Sequence, residues 1–494
     1  MPHLVAVLAI SFFMMALIWF CLKPTRIPLL TYFIAYTATT VIGAAALLDD
    51  AGLREFKLHQ PMFRPEDYPL IGSTTYWLLL LAPFFLVPVG AALGFRAADI
   101  ALVNRSATFV ANEESPIVLI VYSIVCACAG YCLWKLISSD AYFPDLYFDR
   151  TLYCNPRLLR RTELFTELRY LYYAFAYAVI PIGATVALLS WKKGGGRFHA
   201  AMFAVLLAAA LYFNFVLYMK ANLVIVLLTL LLACIVAKVS VRFKIGLGSA
   251  VVACLLLMQA LLGCYVPDYL RSSAPAKTVL AETAAPLEHS RVFEDNRPAI
   301  IFVADSPPAR SQTGSMQVVG DAAVVFVRSA VFRMAASMPY YIQIFSNPDE
   351  RCGIESNSLP LLPRESCYPA KKVGTRINPS EIQAFQSAPA HIHAYAELGP
   401  GYAVIVLLVG GSILGFGWGA AQKAQSPLFW SMGTAVCLFA YYLTQASLVG
   451  ALTHSYGFVW YLFPFLMAAV IQAFARLVIS RLRLDRKSGS GVRL

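Results

Sequence analysis

The fold class that this sequence predicts is all-α: a polytopic membrane bundle with one large extramembrane loop. Three observations predict it. Of the 494 residues, 59% are hydrophobic and 13% charged, where a soluble domain holds about 45–50% and about 25%. The mean hydropathy is +0.66. Apolar runs recur at about the 20-residue length that crosses a hydrocarbon core. An ordinary soluble enzyme, a disordered chain and a disulfide-stapled secreted domain are thereby excluded. The formal charge of +12 reports topology first and a polyanionic partner second. No basic stripe with interleaved aromatics marks a nucleic-acid surface.

Eleven spans are expected, near 3–22, 27–48, 76–95, 116–137, 169–190, 198–219, 221–238, 245–266, 400–421, 427–450 and 457–477. The chain thus divides into 1–266 (eight spans with short loops), a loop at 267–399, three spans within 400–477, and a basic tail at 478–494. The first span lacks a positive leading region and a small-residue cleavage site, so it is expected to be retained as a helix.

Lysines and arginines orient the bundle. Lys23, Arg26, Arg96, Arg105, Lys192, Lys193, Arg197, Lys238, Arg242, Lys244, Lys423 and the tail fall on one alternating set of segments, poor in acids. That set is expected in the cytoplasm, with the N-terminus outside and the C-terminus inside. The opposite set also holds cations near helix ends, among them Arg157, Arg160, Arg161 and Lys220. Outward cations need a reason other than topology, and an anionic lipid head group supplies one.

The segment 267–399 contains nearly half of the 28 prolines. Its first part reads as irregular loop with one strand at 299–303. Residues 321–346 read as a helix on or dipping into the outer interface, interrupted by Pro339. Residues 347–380 read as a turn-rich loop, and 381–399 as a helix leading into the next span. Of the eleven cysteines, most lie in or beside spans and read as small apolar residues. Cys352 and Cys367 lie in the long segment and could pair on an oxidising side.

The candidate chemistry gathers at the outer helix ends. Arg157, Arg160 and Arg161, at i, i+3 and i+4, share one helical face. Guanidinium forks match phosphate oxygens, so three together suit a diphosphate, although glutamates nearby would equally make a solvated face. Lys220 opens a span, either snorkelling to water or adding a point charge to the same site. Arg328 and Arg333 are about 140° apart on a helix, so at most one faces a common site unless the helix bends. His393 and Glu397 are i, i+4, which lets a carboxylate orient an imidazole as a general base requires. His391 is an equal candidate if the segment is not helical. Asp49 and Asp50 read as a solvated helix end, with an acidic site as the sharper alternative. Gly411, Gly415 and Gly419 follow small-xxx-small spacing, which close helix packing explains. No metal cluster and no nucleotide-binding loop appears.

Three stretches carry a family resemblance: RRTELFTELRYLYYAFAYAVIPIGATVALLSWKKG at 160–194, FNFVLYMKANLVIVLLTLLLACIV at 213–236, and VRSAVFRMAASMPYYIQIFSNPDE at 327–350 followed by HIHAYAELGPGYAVIVLLVGGSILG at 391–415. In these, and in the order of elements over most of 140–450, the chain resembles the bacterial O-antigen polymerases (Wzy-type) and, more loosely, the O-antigen ligases. The resemblance implies an inner-membrane glycosyltransferase acting on undecaprenyl-diphosphate-linked oligosaccharides at the periplasmic face. It implies 267–399 as a periplasmic loop, membrane lipid and a chain-length regulator protein as partners, and no cofactor or metal. The family's arginines carry over onto Arg160, Arg161, Arg328 and Arg333, its basic span-opening residue onto Lys220, and the ligase histidine onto His391 or His393. Lysine stands at 220 where many relatives have arginine.

The expected chemistry is coherent. The sugar–diphosphate bond already holds the energy. Cations stabilise the departing diphosphate, and a base takes the acceptor proton. Arg160, Arg161, Lys220 and Arg333 are expected in the first role, Arg157 shares the diphosphate-binding face with Arg328 in reserve, and His391 or His393, oriented by Glu397, is expected in the second. The rivals are a ligase moving glycan to lipid A-core, a polyprenyl-phosphate-sugar transferase using Asp49 and Asp50, and a transporter. Transporters usually place charged sites near mid-membrane, not at the outer edge.

Overall fold

A computed structural model describes residues 2–49, 70–102, 114–139, 170–216, 220–262, 334–353, 367–377, 387–422 and 426–489. Among the described residues the chain is all-helical, with no strand. In chain order the helices are α1 (Pro2–Cys21), α2 (Arg26–Ala46), α3 (Thr74–Leu102), α4 (Glu114–Ser138), α5 (Tyr170–Lys192), α6 (Gly196–Val216), α7 (Lys220–Val236) and α8 (Val241–Leu262). There follow α9 (Met338–Phe345), α10 (Pro369–Ile377), α11 (Ala390–Leu398), α12 (Pro400–Gln422), α13 (Pro427–Tyr442), α14 (Leu448–Thr453) and α15 (Phe458–Gly489).

Eight stretches among the described residues are long and apolar enough to cross a membrane, lying in α1 to α6, in α12 and over Leu448–Val478. The protein is therefore a polytopic helical membrane bundle. The three other expected spans are also helices: α7, α8 and α13. The expected span 427–450 is, however, two helices. At 16 residues, α13 is about 24 Å long, against a hydrocarbon core of about 30 Å. Thr444 and Gln445 follow it, the Gln445 amide donating to Thr39 Oγ1 (3.1 Å) and Thr444 Oγ1 (3.0 Å). Ser447 then caps α14 by accepting from Gly450 N–H at 3.1 Å. From the last expected span, α15 runs on as helix through much of the basic tail to Gly489.

The core is central α5, α2 and α13, wrapped by the other spans. α13 is sealed along Ala435–Ala440. α3 and α12 approach backbone to backbone. A Cβ on Gly411 would stand 2.5 Å from Val87 O, and one on Gly419 2.7 Å from Ala98 Cβ. Gly90 and Gly94 of α3 meet the Leu408 and Ser412 backbone in the same way, so the small-residue stripe is two-sided, as expected of close helix packing. Two spans carry a π turn, Thr37–Val41 in α2 and Phe175–Val179 in α5. π turns release carbonyls from the helical ladder, and tertiary donors answer them. Met334 N–H meets Thr39 O at 3.4 Å, Asn214 Nδ2 meets Ala176 O at 3.1 Å, and Tyr461 Oη meets Tyr177 O at 3.2 Å.

The helices sort the loops into two ends. At one, Lys192 lies over Phe243, Lys193 over Trp430 and Arg26 over Trp19, and Trp418 Nε1 donates to Pro24 O at 2.6 Å. At the other, Tyr76 Oη donates to Ala44 O at 2.7 Å, Tyr170 Oη donates to Thr453 O, and Tyr172 Oη to Phe213 O at 3.2 Å. This division matches, for the described residues, the alternation that the charges predict.

Candidate functional site

The long segment departs from its reading. Residues 334–337 form a turn and α9 begins at Met338, so Pro339 sits in the first turn of a helix, where its missing N–H costs nothing. α9 is buried along Met338–Ile342 and at Phe345 rather than lying on an interface. The expected loop 347–380 contains a 3₁₀ turn, Pro348–Glu350, and α10. Cys352 and Cys367 are bridged, with Cα atoms 5.2 Å apart. The helix expected to run into the next span stops at Gly399, whose φ of +90° separates α11 from α12. Residues 299–303 and 321–333 lie outside the described residues.

α11 is the chemically dense element. It is wedged among α2, α3, α9, α12 and α14, and its Ala390 N–H donates to Leu443 O at the end of α13 (2.9 Å). His391, His393 and Glu397 are 0%, 2% and 5% exposed. His391 Nε2 is 2.9 Å from Leu79 O, and Tyr36 Oη reaches Leu80 O at 3.1 Å and the same imidazole nitrogen at 3.5 Å. Leu79 O is open for a covalent reason. Four residues on, Pro83 stands inside α3, and proline has no N–H to complete the helical bond.

Burial dominates the electrostatics. It pushes His391 from 6.5 down to about 3, with His393 pushing the same way and the Leu79 carbonyl opposing. It pushes His393 to about 4 and raises Glu397 from 4.5 to about 8. At neutral pH both imidazoles are neutral and Glu397 is mostly protonated. A carbonyl only accepts, so the His391 proton sits on Nε2, leaving Nδ1 bare. His393 is the opposite tautomer: Ala388 N–H donates to its Nε2 at 3.4 Å, so Nδ1 carries the proton. Both Nδ1 atoms and Glu397 Oε1 are buried without a hydrogen-bond partner. Leaving a buried polar atom unpaired costs about 1–3 kcal/mol, and three on one short helix are the strongest mark of a ligand site among the described residues.

This corrects one expectation. Although His393 and Glu397 are i, i+4 on a helix, the carboxyl does not orient the imidazole: Glu397 Oε1 and His393 Nδ1 are each unpaired, and the other ring nitrogen is taken. Asp49 is a second correction, being buried at the end of α2 rather than solvated. Asp50, Arg157, Arg160, Arg161, Arg328 and Arg333 lie outside the described residues. Lys220 opens α7, at the end of the bundle where α5 begins.

No protein-family model, curated protein or solved structure matches this chain.

Sequence reasoning missed four contributors: Tyr36, the Pro83–Leu79 pair, Gly399 and Arg351. Only Pro83 carried a readable signal, since a proline inside a span frees the carbonyl four residues earlier. Arg351 donates from Nε to Phe345 O at 3.3 Å, and its guanidinium lies on Gly399, where a Cβ would come within 2.8 Å of Cζ.

Proposed function

We propose that the protein is a bacterial inner-membrane glycosyltransferase that polymerises undecaprenyl-diphosphate-linked repeat units into a surface polysaccharide such as O-antigen, working at the periplasmic face. One observation carries this reading: His391 presents a bare Nδ1 beside the unpaired Nδ1–H of His393 and the unpaired Glu397 Oε1, on one helix. Disulfides persist in oxidising compartments, so the Cys352–Cys367 bridge supports an extracytoplasmic location for that end.

His391 Nδ1 is the general base, taking the proton of the attacking sugar hydroxyl. The Leu79 carbonyl holds the imidazole in the tautomer that leaves this nitrogen free and favours the imidazolium as it forms. His393 Nδ1–H and protonated Glu397 donate to acceptor oxygens. The departing diphosphate is met by the outer cations that the resemblance supplies, Arg160, Arg161, Lys220 and Arg333, with Arg157 and Arg328 nearby in sequence. The imidazole is enclosed, so the segments around it part when an acceptor enters.

The test is purified protein with lipid-linked repeat units alone, glycan length being read on a gel. Wild type should build a ladder, and His391→Ala should lose it. Unchanged ladders in His391→Ala, or in Lys220→Ala and Arg333→Ala together, would refute the assignment. Transfer only to added lipid A-core identifies a ligase. The burial of Asp49 favours a second reading, a polyprenyl-phosphate-sugar transferase with an acidic site. Inactive Asp49→Asn beside active Lys220→Ala would select it.

A further inference from the structure

The C-terminal end of α11 cannot satisfy its own last carbonyls. Gly399 N–H takes Tyr395 O at 2.9 Å. The next two are met from far earlier in the chain: Cys352 N–H donates to Ala396 O and Gly353 N–H to Glu397 O, both at 3.1 Å. Gly353 has φ +73°, a conformation that glycine adopts without strain. This strip of chain is held from both sides. Arg351 ties it to the end of α9 through Phe345 O and covers Gly399. The Cys352–Cys367 bridge ties it to the start of α10, and Lys372 of α10 pairs with the Glu350 carboxylate and donates to Glu350 O at 3.1 Å.

We propose that Arg351–Cys352–Gly353 is a positioning clip for α11, locked by the disulfide, which sets where His391, His393 and Glu397 stand. Its hydrogen bonds to α11 go to the backbone carbonyls of Ala396 and Glu397, so it acts through the helix. Opening the bridge leaves α10 tied to the strip through the exposed Lys372–Glu350 contacts, so the Cys352 and Gly353 donors to the Ala396 and Glu397 carbonyls fray. The proposal rests on the proposed function only in supposing that α11 serves catalysis; the clip itself is a structural claim with its own readout.

The experiment is amide hydrogen exchange on the purified full-length protein, before and after treatment with a water-soluble phosphine. Reduction converts the bridge to two thiols; the phosphine takes up the oxygen of one water and becomes the phosphine oxide, supplying the two electrons. Exchange over residues 390–399 should rise about tenfold or more on reduction and in Cys352→Ser/Cys367→Ser, while 403–415 in α12 stays unchanged. Arg351→Ala should raise it too, and Arg351→Lys, which keeps a donor for Phe345 O, should bring it back to within about threefold of wild type. In the ladder assay the reduced protein should lose kcat with KM nearly constant, because the base is displaced while the lipid carrier still binds. Unchanged exchange over 390–399 after reduction overturns the clip, whatever the ladder shows. If exchange responds while wild type builds no ladder, the clip stands and the polymerase reading fails.

Discussion

At the end of the bundle where α5 finishes, charge is kept at the surface. Lys192 lies 4.0 Å from the Trp191 ring centroid and 4.1 Å from that of Phe243, both it and Lys193 being exposed. At the end where α5 begins, ionisable groups are buried instead: His391, His393 and Glu397 carry no net charge at neutral pH and leave three polar atoms unpaired. The first arrangement is what a membrane surface asks of any helix end, amphipathic side chains with wet heads. The second is costly to folding and contributes nothing to anchoring. The contrast is what the proposed function rests on: anchoring accounts for exposed cations at a helix end, but not for three unpaired polar atoms buried on one short helix.

The widest test of that contrast is activity. His391→Ala should lower turnover by about 10²–10⁴-fold, the usual worth of a positioned base, while Lys192→Ala at the opposite end should stay within about twofold of wild type. Equal effects in a repeat-unit polymerisation assay would erase the distinction between the ends. Next in size is backbone strain. Gly399→Ala should cost about 1–3 kcal/mol, because an L-residue resists φ +90° and its Cβ meets the Arg351 guanidinium. Thermal unfolding in detergent measures it, and Gly401→Ala, which has open space around it, is the control.

The tautomer sharpens the comparison further. Pro83→Ala gives α3 an N–H that competes for Leu79 O, so His391 should lose its fixed Nε2–H. Nitrogen NMR of labelled histidine should then show mixed tautomers, and turnover should fall about three- to tenfold. A single unchanged tautomer would remove Pro83 from the site.

pH dependence of stability is a smaller effect with a definite sign. The histidines have folded pKa values below 6.5, so the unfolded chain binds more protons and stability rises with pH from about 3 to 6.5. Glu397 is protonated more readily when folded, so its contribution is full below 4.5 and is lost as pH rises to about 8. Two histidines outweigh one carboxyl below 6.5, which puts the maximum near 6.5 and a decline toward 8. Glu397→Gln should flatten the alkaline limb, and a limb that persists in that variant would assign it elsewhere. Lys192→Met should register least, about 0.5–1 kcal/mol, the worth of an exposed cation over aromatic faces.

Much of the fold was legible because a bilayer punishes exposed backbone. Apolar runs of sufficient length had to be helices, and the lysines and arginines between them had to alternate. The errors cluster where the hydrocarbon rule does not apply. The run 321–346 reads as too polar for a span and hence interfacial, yet burial of Tyr341 and Phe345 in α9 is decided by what packs on them, and Pro339 in a first turn suits a helix. The break between α13 and α14 turned on Gln445 finding Thr39 across the bundle.

The site was half legible. His391, His393 and Glu397 stood out by type and spacing, and spacing suggested a partnership between His393 and Glu397 that the fold does not make. By itself the sequence determined an all-helical membrane chain, its two sets of helix ends, and a short histidine- and glutamate-bearing helix ahead of a late span, because composition and periodicity suffice where every backbone group must bond within its own helix. Only the tertiary structure decided that this helix is buried, that a carbonyl opened by Pro83 chooses the His391 tautomer, and that Cys352 and Gly353 cap it from across the loop. Desolvation, tautomer and long-range capping all depend on which distant residues arrive within about 3 Å, and no local pattern encodes that.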